Sequence, residues 1–238
     1  MKNRTSAAFF TTALLAGAAL LGGCSKSEPE SGTAPAAATV AATQEIATPV
    51  PAAKKMVALE RYVEVDGKAV LDAVFAFAGG EPDYAAYADA TSAEYRAERD
   101  VFKKKDILET LKPSIDAALA KARENPYFAI TDEIKISDYS FDTKSFRIAR
   151  YADAGNALRY EEGGHYFDLR FINGPQFKDL LVEDEQVARA IQAARNPGTG
   201  AIPTKSFVVV TGASGTVAQS DVVKVQILDA KGAVLFEM

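Results

Sequence analysis

The sequence predicts an α+β domain in which N-terminal helices pack on a mainly antiparallel C-terminal sheet. Up to Asn125 the apolar residues recur at helical spacing, whereas after Pro126 they alternate with polar residues. Helices grouped early and strands grouped late are typical of this fold class. We place the single α+β domain at residues 56–238.

The first helix is predicted from Lys68. Its apolar residues, such as Val70 and Val74, lie on one helical face, and Gly79-Gly80 is a helix stop. The preceding Val63 fits either a short strand or the entry to this helix. The sequence leaves these two interpretations open.

A second long helix is predicted from the capping-box spacing of Thr91 and Glu94. Its apolar period continues to Asn125. Pro113 lies inside this stretch and should kink the helix or begin a new one, because its ring removes a donor and clashes with the preceding turn. The run at residues 103–105, three lysines, is interpreted as a solvated helix face rather than an anion site.

The second half of the domain is predicted to be mostly strands. A strand opened by Gly163-Gly164 puts His165, Phe167, Leu169 and Phe171 on one face. One further helix is predicted at residues 183–195, and the last two strands should form a hairpin. The other predicted strand patterns include residues 134–136, 146–148, 207–210, 222–228 and 234–236.

Charge and residue inventory exclude several classes of function. The chain has 27 Lys and Arg against 32 Asp and Glu, a formal net charge of −5. Without residues 1–23, which hold two bases and no acid, 25 bases face 32 acids and the charge is −7. Nucleic acid is therefore not an expected partner, since that affinity needs clustered Lys and Arg.

The chain contains one cysteine and one histidine. An intramolecular disulfide, a Cys-x-x-Cys redox pair and the usual transition-metal sites all need more of these residues. Calcium-binding loops of the Asp-x-Asp-x-Asp-Gly kind are absent as well. We expect neither a metal nor a cofactor.

The N-terminus has the three parts of a secretory signal. Residues 1–4 are cationic, residues 7–21 are apolar, and Gly22-Gly23 is small. The apolar run has 15 residues. It is shorter than the roughly 20 residues that cross a bilayer core, so a cleaved signal peptide is favoured over a transmembrane anchor.

The apolar run ends in Leu21-Gly22-Gly23-Cys24, which resembles the lipobox of bacterial lipoproteins at every position. The resemblance implies a signal peptide at residues 1–23, cleavage before Cys24, and lipid such as palmitate on that cysteine. Two or more acyl chains hold a protein on a membrane effectively, at about 0.8 kcal/mol per buried methylene. Cys24 is therefore the predicted lipidation site and the predicted contact with the membrane.

The residues after the cysteine bear on which membrane carries the anchor. Ser25, rather than aspartate, resembles the enteric pattern for the outer membrane. Lys26-Ser27 resembles a retention signal of some other Gram-negative lineages. We favour the outer membrane, with the folded domain facing the periplasm.

Residues 24–55 are predicted to comprise the lipidated cysteine and a disordered tether. The stretch is dominated by Ala, Pro, Thr, Ser and Glu, and its few large apolar side chains cannot offset the entropy of ordering. A flexible coil of this length spans about 30 Å. The alternative, an alanine-rich helix, is opposed by Pro29, Pro35, Pro49 and Pro51.

The text FKKKDILETLKPSIDAALAKARENPYF, followed by DYSFDTKSF, resembles a class of uncharacterised bacterial envelope proteins. The resemblance covers less than half of the domain. That class has no assigned activity, so the resemblance implies no catalytic residue.

The segment FVVVTGASGTVA resembles the glycine-rich turn that opens short-chain dehydrogenases. The third glycine position is Ala218, however, and only 20 residues follow it. A parallel sheet needs a crossover of a dozen or more residues and then further strands. We therefore expect residues 211–218 to connect two strands and to bind no dinucleotide, with Gly212 and Gly215 suited to a turn or bulge.

Other candidate catalytic groups lack a supporting pattern. His165 could act as a base on Ser214, but no Gly-x-Ser-x-Gly elbow surrounds that serine. His165 is better interpreted as a partly buried structural residue or an exposed edge residue. The acidic clusters Glu161-Glu162 and Glu183-Asp184-Glu185 could supply the carboxylate pair of a glycosidase, although the second cluster also suits a helix N-terminus.

The sequence thus predicts a lipid-anchored, periplasm-facing binding or assembly module, without a catalytic, cofactor-binding or metal-ligating residue. Its expected partner is an envelope protein or a cell-wall component. The alternative is a hydrolase that acts on peptidoglycan or another envelope glycan through a carboxylate pair. Convergent acids in one deep cleft would favour the hydrolase, and an exposed apolar patch would favour the binding module.

Overall fold

The computed structural model describes residues 57–153 and 155–238. Cys24, the predicted signal peptide and the predicted tether lie outside the described residues. The described helices are α1 (Gly67–Phe77), α2 (Tyr84–Thr91), α3 (Ala93–Ala97), α4 (Val101–Glu124) and α5 (Glu185–Ala194).

The strands fall into one large sheet and one small sheet. The large sheet has the order β1-β2-β7-β8-β5-β4, with β9 also paired to β8, and the small sheet pairs β3 with β6. The strands are β1 (Val63–Glu64), β2 (Tyr127–Lys135), β3 (Ser145–Arg147), β4 (Ala157–Glu162), β5 (His165–Phe171), β6 (Asp179–Leu181), β7 (Ala201–Ser214), β8 (Val217–Leu228) and β9 (Val234–Glu237).

The predicted fold class is confirmed. Four of the six strand pairs in the large sheet are antiparallel, while β1 pairs with β2 and β5 pairs with β8 in parallel. Helix α1 contacts α4 on one side and β4, β5, β7 and β8 on the other, so the N-terminal helices cover the middle of the sheet. Leu71, Leu119 and Leu169 lie in the resulting core, almost without solvent exposure.

Strand β1 resolves the alternative left open at Val63. It pairs in parallel with the start of β2, where Val63 lies opposite Phe128. Just before it, the Tyr62 ring contacts the rings of Tyr127 and Phe207 edge-on, with centroids 5.4 and 5.3 Å apart. The chain therefore enters the domain beside the junction between α4 and β2.

The prediction of one helix from Thr91 to Asn125 is wrong in two respects, because the helix does not begin at Thr91 and the stretch is not one continuous helix. Thr91 is the last residue of α2, and its hydroxyl donates to the Tyr87 carbonyl oxygen at 2.9 Å. Ser92 is the actual N-cap of α3, accepting from the Tyr95 amide at 3.1 Å. Helix α3 ends after one turn and a half, and Asp100 caps a new helix.

Pro113 does not begin a new helix, because α4 continues through it from Val101 to Glu124. Proline removes one amide donor, which leaves the carbonyl group one turn earlier, on Glu109, without its helical partner. Both Pro113 and Glu109 are exposed, so water can hydrate that carbonyl. The helix continues through Pro113 because this position faces solvent.

A gap in the large sheet is closed by a side chain. Strands β5 and β9 pair with the same edge of β8 but leave Val222 between them. Asn173 fills this position: its amide group donates to the Val222 carbonyl at 2.8 Å and its oxygen accepts from the Val222 amide at 2.7 Å. One asparagine thus satisfies the backbone groups that a strand would otherwise pair.

Candidate binding groove

A groove of about 560 Å³ lies between α5 and the loop that follows β2. We call it the α5 groove. The loop contributes Asp138, Tyr139 and Phe141, and α5 contributes Glu185, Ala188, Arg189, Gln192 and Ala193. Because the helical residues recur every three or four positions, they share one face of α5.

A network of hydrogen bonds holds the loop against the helix. The Asp138 carboxylate accepts from the Gln192 amide group at 3.0 Å and also pairs with the Arg195 guanidinium. Gln192 accepts in turn from the Tyr139 backbone amide at 3.3 Å, and the Tyr139 hydroxyl donates to the Val182 carbonyl at 2.9 Å. The groove is therefore preformed rather than dependent on a mobile loop.

Phe141 leaves most of its ring in solvent at one side of this groove. Its side chain is 75% exposed, and its only ring contact within the described residues is with Tyr139, edge-on at a centroid distance of 5.1 Å. Tyr139 packs in turn on the buried Phe146 at 5.1 Å. An exposed phenylalanine held by a rigid aromatic pair is suited to insertion into a partner surface.

The acids of the α5 groove are matched by arginines. Hydrogen bonding from Arg195 lowers the pKa of Asp138 below the usual value for aspartate, with a further contribution from Gln192. Glu185 pairs with Arg189 one turn along α5. Asp138 therefore stays ionised near neutral pH, which suits a structural ion pair and not a general acid.

A second pocket, of about 460 Å³, surrounds the only histidine. His165, at the start of β5, lies with its Nε2 3.1 Å from an oxygen of Asp89 in α2. Both side chains are exposed, so this contact ties the β4–β5 hairpin to α2 at the surface. His165 is exposed, as one of the two interpretations allowed, but β5 is not an edge strand, because it lies between β8 and β4.

The candidate pair of His165 and Ser214 is not brought together in this pocket. Thr216, from the turn between β7 and β8, lines the pocket with His165 instead. Ser214 is the last residue of β7, where it pairs with Val217 of β8. The hydrogen-bonded partner of His165 is a carboxylate rather than a nucleophile.

The glycine-rich segment at residues 211–218 joins two antiparallel strands, as predicted. Gly215 lies in the turn between β7 and β8 with φ +58°. Gly212 follows a break in the strand register after Val210. The β-hairpin continues directly into β8, so the strand–turn–helix geometry that receives a pyrophosphate is not formed here.

The two acidic clusters, Glu183-Asp184-Glu185 and Glu161-Glu162, lie at or beside the starts of helices. Asp184 is the N-cap of α5 and accepts from the amides of Gln186 and Val187, at 2.7 and 3.3 Å. Glu161 and Glu162 lie at the end of β4, beside the start of α1 at Gly67. The predicted helix-terminus role of the second cluster is thus found at Asp184.

In the described part of the chain, no group of three or more His, Cys, Asp or Glu residues is placed to share a metal ion. Among the same residues, no helix is both long enough and apolar enough to cross a bilayer.

Sequence reasoning missed the residues that build the α5 groove. Asp138 and Arg195 are 57 positions apart, and nothing in the local pattern around either residue indicates the other. The composition of the segment DYSFD could have indicated the groove, because it places two aromatic residues in a polar loop outside any strand pattern. Asp89 was missed as well, because α2 was not predicted.

Comparison with known proteins assigns the chain to no group. No protein-family model matches it, and neither a curated protein nor a solved structure is significantly similar to it. The grooves and surfaces of the chain itself are therefore the guide to its function.

Proposed function

We propose that this protein is a lipid-anchored, periplasm-facing binding or assembly module of the bacterial cell envelope. In this proposal the lipid on Cys24 holds the chain at the outer membrane, and the α5 groove engages a segment of an envelope protein. The partner segment supplies an apolar side chain to the groove and receives Phe141 in return.

The observation that carries this proposal is the preformed apolar groove with Phe141 at its side. Tyr139 and Ala193 offer apolar surface above the buried Ala188, while the ion pairs of Asp138 and Glu185 lie among them. Apolar surface ringed by paired charges is typical of protein-binding sites. The charged groups of the groove are already paired, which leaves few of them to hydrogen-bond the many hydroxyl groups of a polysaccharide, so an envelope protein fits this groove better than a cell-wall glycan.

The alternative function, a hydrolase for peptidoglycan or another envelope glycan, needs a carboxylic acid that is protonated near neutral pH. Asp138 and Glu185 share the α5 groove, but each is engaged by an arginine. The lowered pKa of Asp138 opposes the role of general acid. No specific observation favours this second candidate.

Lipidation is tested by metabolic labelling with a fatty-acid analogue in the host. The wild-type chain should carry the label, and Cys24→Ser should lose both the label and its fractionation with membranes. Retention of a cleaved Cys24→Ser protein in the membrane fraction would show that the lipobox interpretation is wrong.

Partner binding is tested by a photoreactive residue placed at Arg189, on the rim of the α5 groove, and by the same residue at Lys231 as an exposed control. We expect one envelope protein to be trapped at position 189 and not at position 231. Phe141→Ala should remove this adduct. Equal trapping at both positions, or trapping unaffected by Phe141→Ala, would contradict the proposal.

A further inference from the structure

The start of α4 carries two of the three most exposed large apolar side chains among the described residues. Phe102 is 78% exposed and Val101 is 73% exposed. They are adjacent in sequence and lie in the first turn of a long helix. Two such side chains left together in water lose the free energy that burial would provide.

Basic side chains flank this apolar pair. Arg99 and Lys103 are exposed neighbours in sequence, and Lys105 lies one helical turn from both Val101 and Phe102. Lys104 turns away, with its ammonium group 4.4 Å from the centre of the Tyr95 ring. Residues 99–105 thus hold four bases and one acid in a chain whose net charge is −5.

That one acid, Asp100, is occupied within the helix. Its carboxylate accepts from the amides of Phe102 and Lys103 at 2.9 and 3.2 Å, as the N-cap of α4. Asp106 follows the lysines and limits the local positive charge. Because the helix amides are capped, the patch offers no pocket for a single anion; its bases and apolar side chains instead form a diffuse surface.

We propose that Val101 and Phe102, with Arg99, Lys103 and Lys105, form a docking surface for a lipid bilayer that contains anionic headgroups. The apolar pair inserts among the acyl chains near the interface, and the flanking bases lie at the level of the phosphates. Apolar side chains combined with Lys and Arg are the residues that hold peripheral segments on anionic membranes. Only the identity of the membrane rests on the proposed function; the surface itself acts without lipid on Cys24.

The predicted lipid on Cys24 and the docking surface at Val101 and Phe102 would be able to contact the same bilayer. The chain enters the domain next to Tyr127, at the far end of α4, where the Tyr62 and Tyr127 rings meet. Helix α4 has 24 residues, so its two ends are about 36 Å apart. The tether predicted for residues 24–55 is expected to span about 30 Å, so the domain would be able to lie with Phe102 on the membrane.

The test measures co-sedimentation of the unlipidated processed chain, residues 24–238 with Cys24→Ser, with vesicles. Vesicles that mix phosphatidylglycerol and phosphatidylcholine should bind it, and pure phosphatidylcholine vesicles should bind it several-fold less. Phe102→Ala should weaken binding by about tenfold. Lys103→Gln and Lys105→Gln should each weaken it by about fivefold at low salt.

Matched substitutions control for general loss of apolar surface or charge. Leu181→Ala removes a large apolar side chain of β6 that is 64% exposed, and Lys135→Gln or Lys231→Gln removes an exposed lysine elsewhere. These variants should bind the mixed vesicles as the wild type does. No binding to mixed vesicles, or equal losses in Phe102→Ala and Leu181→Ala, would overturn the proposal; loss of partner trapping at the α5 groove alone would leave it standing.

Discussion

At the scale of single residues, two glycines in the turn between β4 and β5 show how closely this hairpin approaches the helices. Gly163 and Gly164 both have positive φ, +57° and +84°. A β-carbon at Gly163 would lie 1.8 Å from the carbonyl oxygen of Ala90 in α2, whereas one at Gly164 would meet nothing within 4 Å. The first glycine is required by both conformation and packing, the second by conformation alone.

We therefore predict different costs for the two alanine substitutions. Gly164→Ala should lower the free energy of unfolding by about 1–2 kcal/mol, the cost of a positive φ. Gly163→Ala should cost about 1–3 kcal/mol more, because the hairpin must also move away from α2. Urea denaturation of both variants gives the comparison, and equal costs would contradict the close packing of Gly163.

At the scale of secondary-structure elements, aspartate and serine side chains determine where each helix begins. Asp66, Asp83, Ser92, Asp100 and Asp184 each accept a hydrogen bond from an amide in the first turn. Capping explains why the sequence between residues 80 and 100 forms two short helices rather than one long helix. The capping-box spacing of Thr91 was misleading, because the adjacent serine competes for the same role.

We expect the two neighbouring hydroxyl residues to differ in their effect on stability. Ser92→Ala removes the N-cap of α3 and should lower the free energy of unfolding by about 1 kcal/mol. Thr91→Ala removes only a bond to the carbonyl one turn earlier, in a helix that favours alanine, so it should change stability by less than about 0.5 kcal/mol. Thermal unfolding of both variants tests this order, and the reverse order would restore Thr91 as the cap.

The β7–β8 hairpin leads to a prediction about ligands. The purified protein should show no saturable change in nucleotide fluorescence when it is titrated with NADPH, because Gly212 and Gly215 serve strand and turn geometry. Gly212→Val is the matched variant. Saturable binding at micromolar NADPH that this variant abolishes would contradict both this prediction and the proposed binding module.

At the scale of the whole molecule, contacts between distant parts of the chain connect the helices to one another and to the sheet. Asp89 meets His165 across 76 positions, and the Arg123 guanidinium donates to the Ala76 carbonyl across 47 positions. Tyr87 joins α2 to α1 through Asp72, and its burial, together with this hydrogen bond, raises the pKa of its hydroxyl. The described residues on both sides of this interface share one hydrophobic core.

A chain that begins at Met56 should therefore fold without the anchor and the predicted tether. We expect a single cooperative unfolding transition in urea and a protease-resistant core of about the full domain length, because tethers of this composition add few native contacts. The matched control is the chain of residues 24–238 with Cys24→Ser, which should unfold at the same urea concentration. A molten or aggregated product from Met56 would mean that preceding residues belong to the fold.

The sequence by itself determined the fold class, the helix face of α1, the terminal hairpin and the strand-to-strand role of residues 211–218. These features depend on local periodicity and turn chemistry, which short stretches of sequence carry. The lipid site at Cys24 was likewise predicted from local spacing and remains a prediction. Pro113 was predicted to kink the helix or to begin a new one, and the second alternative is wrong, because α4 continues through this exposed position.

Only the tertiary structure decided which residues form the α5 groove and the exposed patch at the start of α4. The loop after β2 folds against a helix about fifty residues later. This packing forms the Asp138–Arg195 pair and places Phe141 beside α5. Phe102 likewise follows the apolar period of a helix, and its exposure shows that no element within residues 57–153 and 155–238 covers it. Such placements follow from long-range packing, which no local pattern encodes.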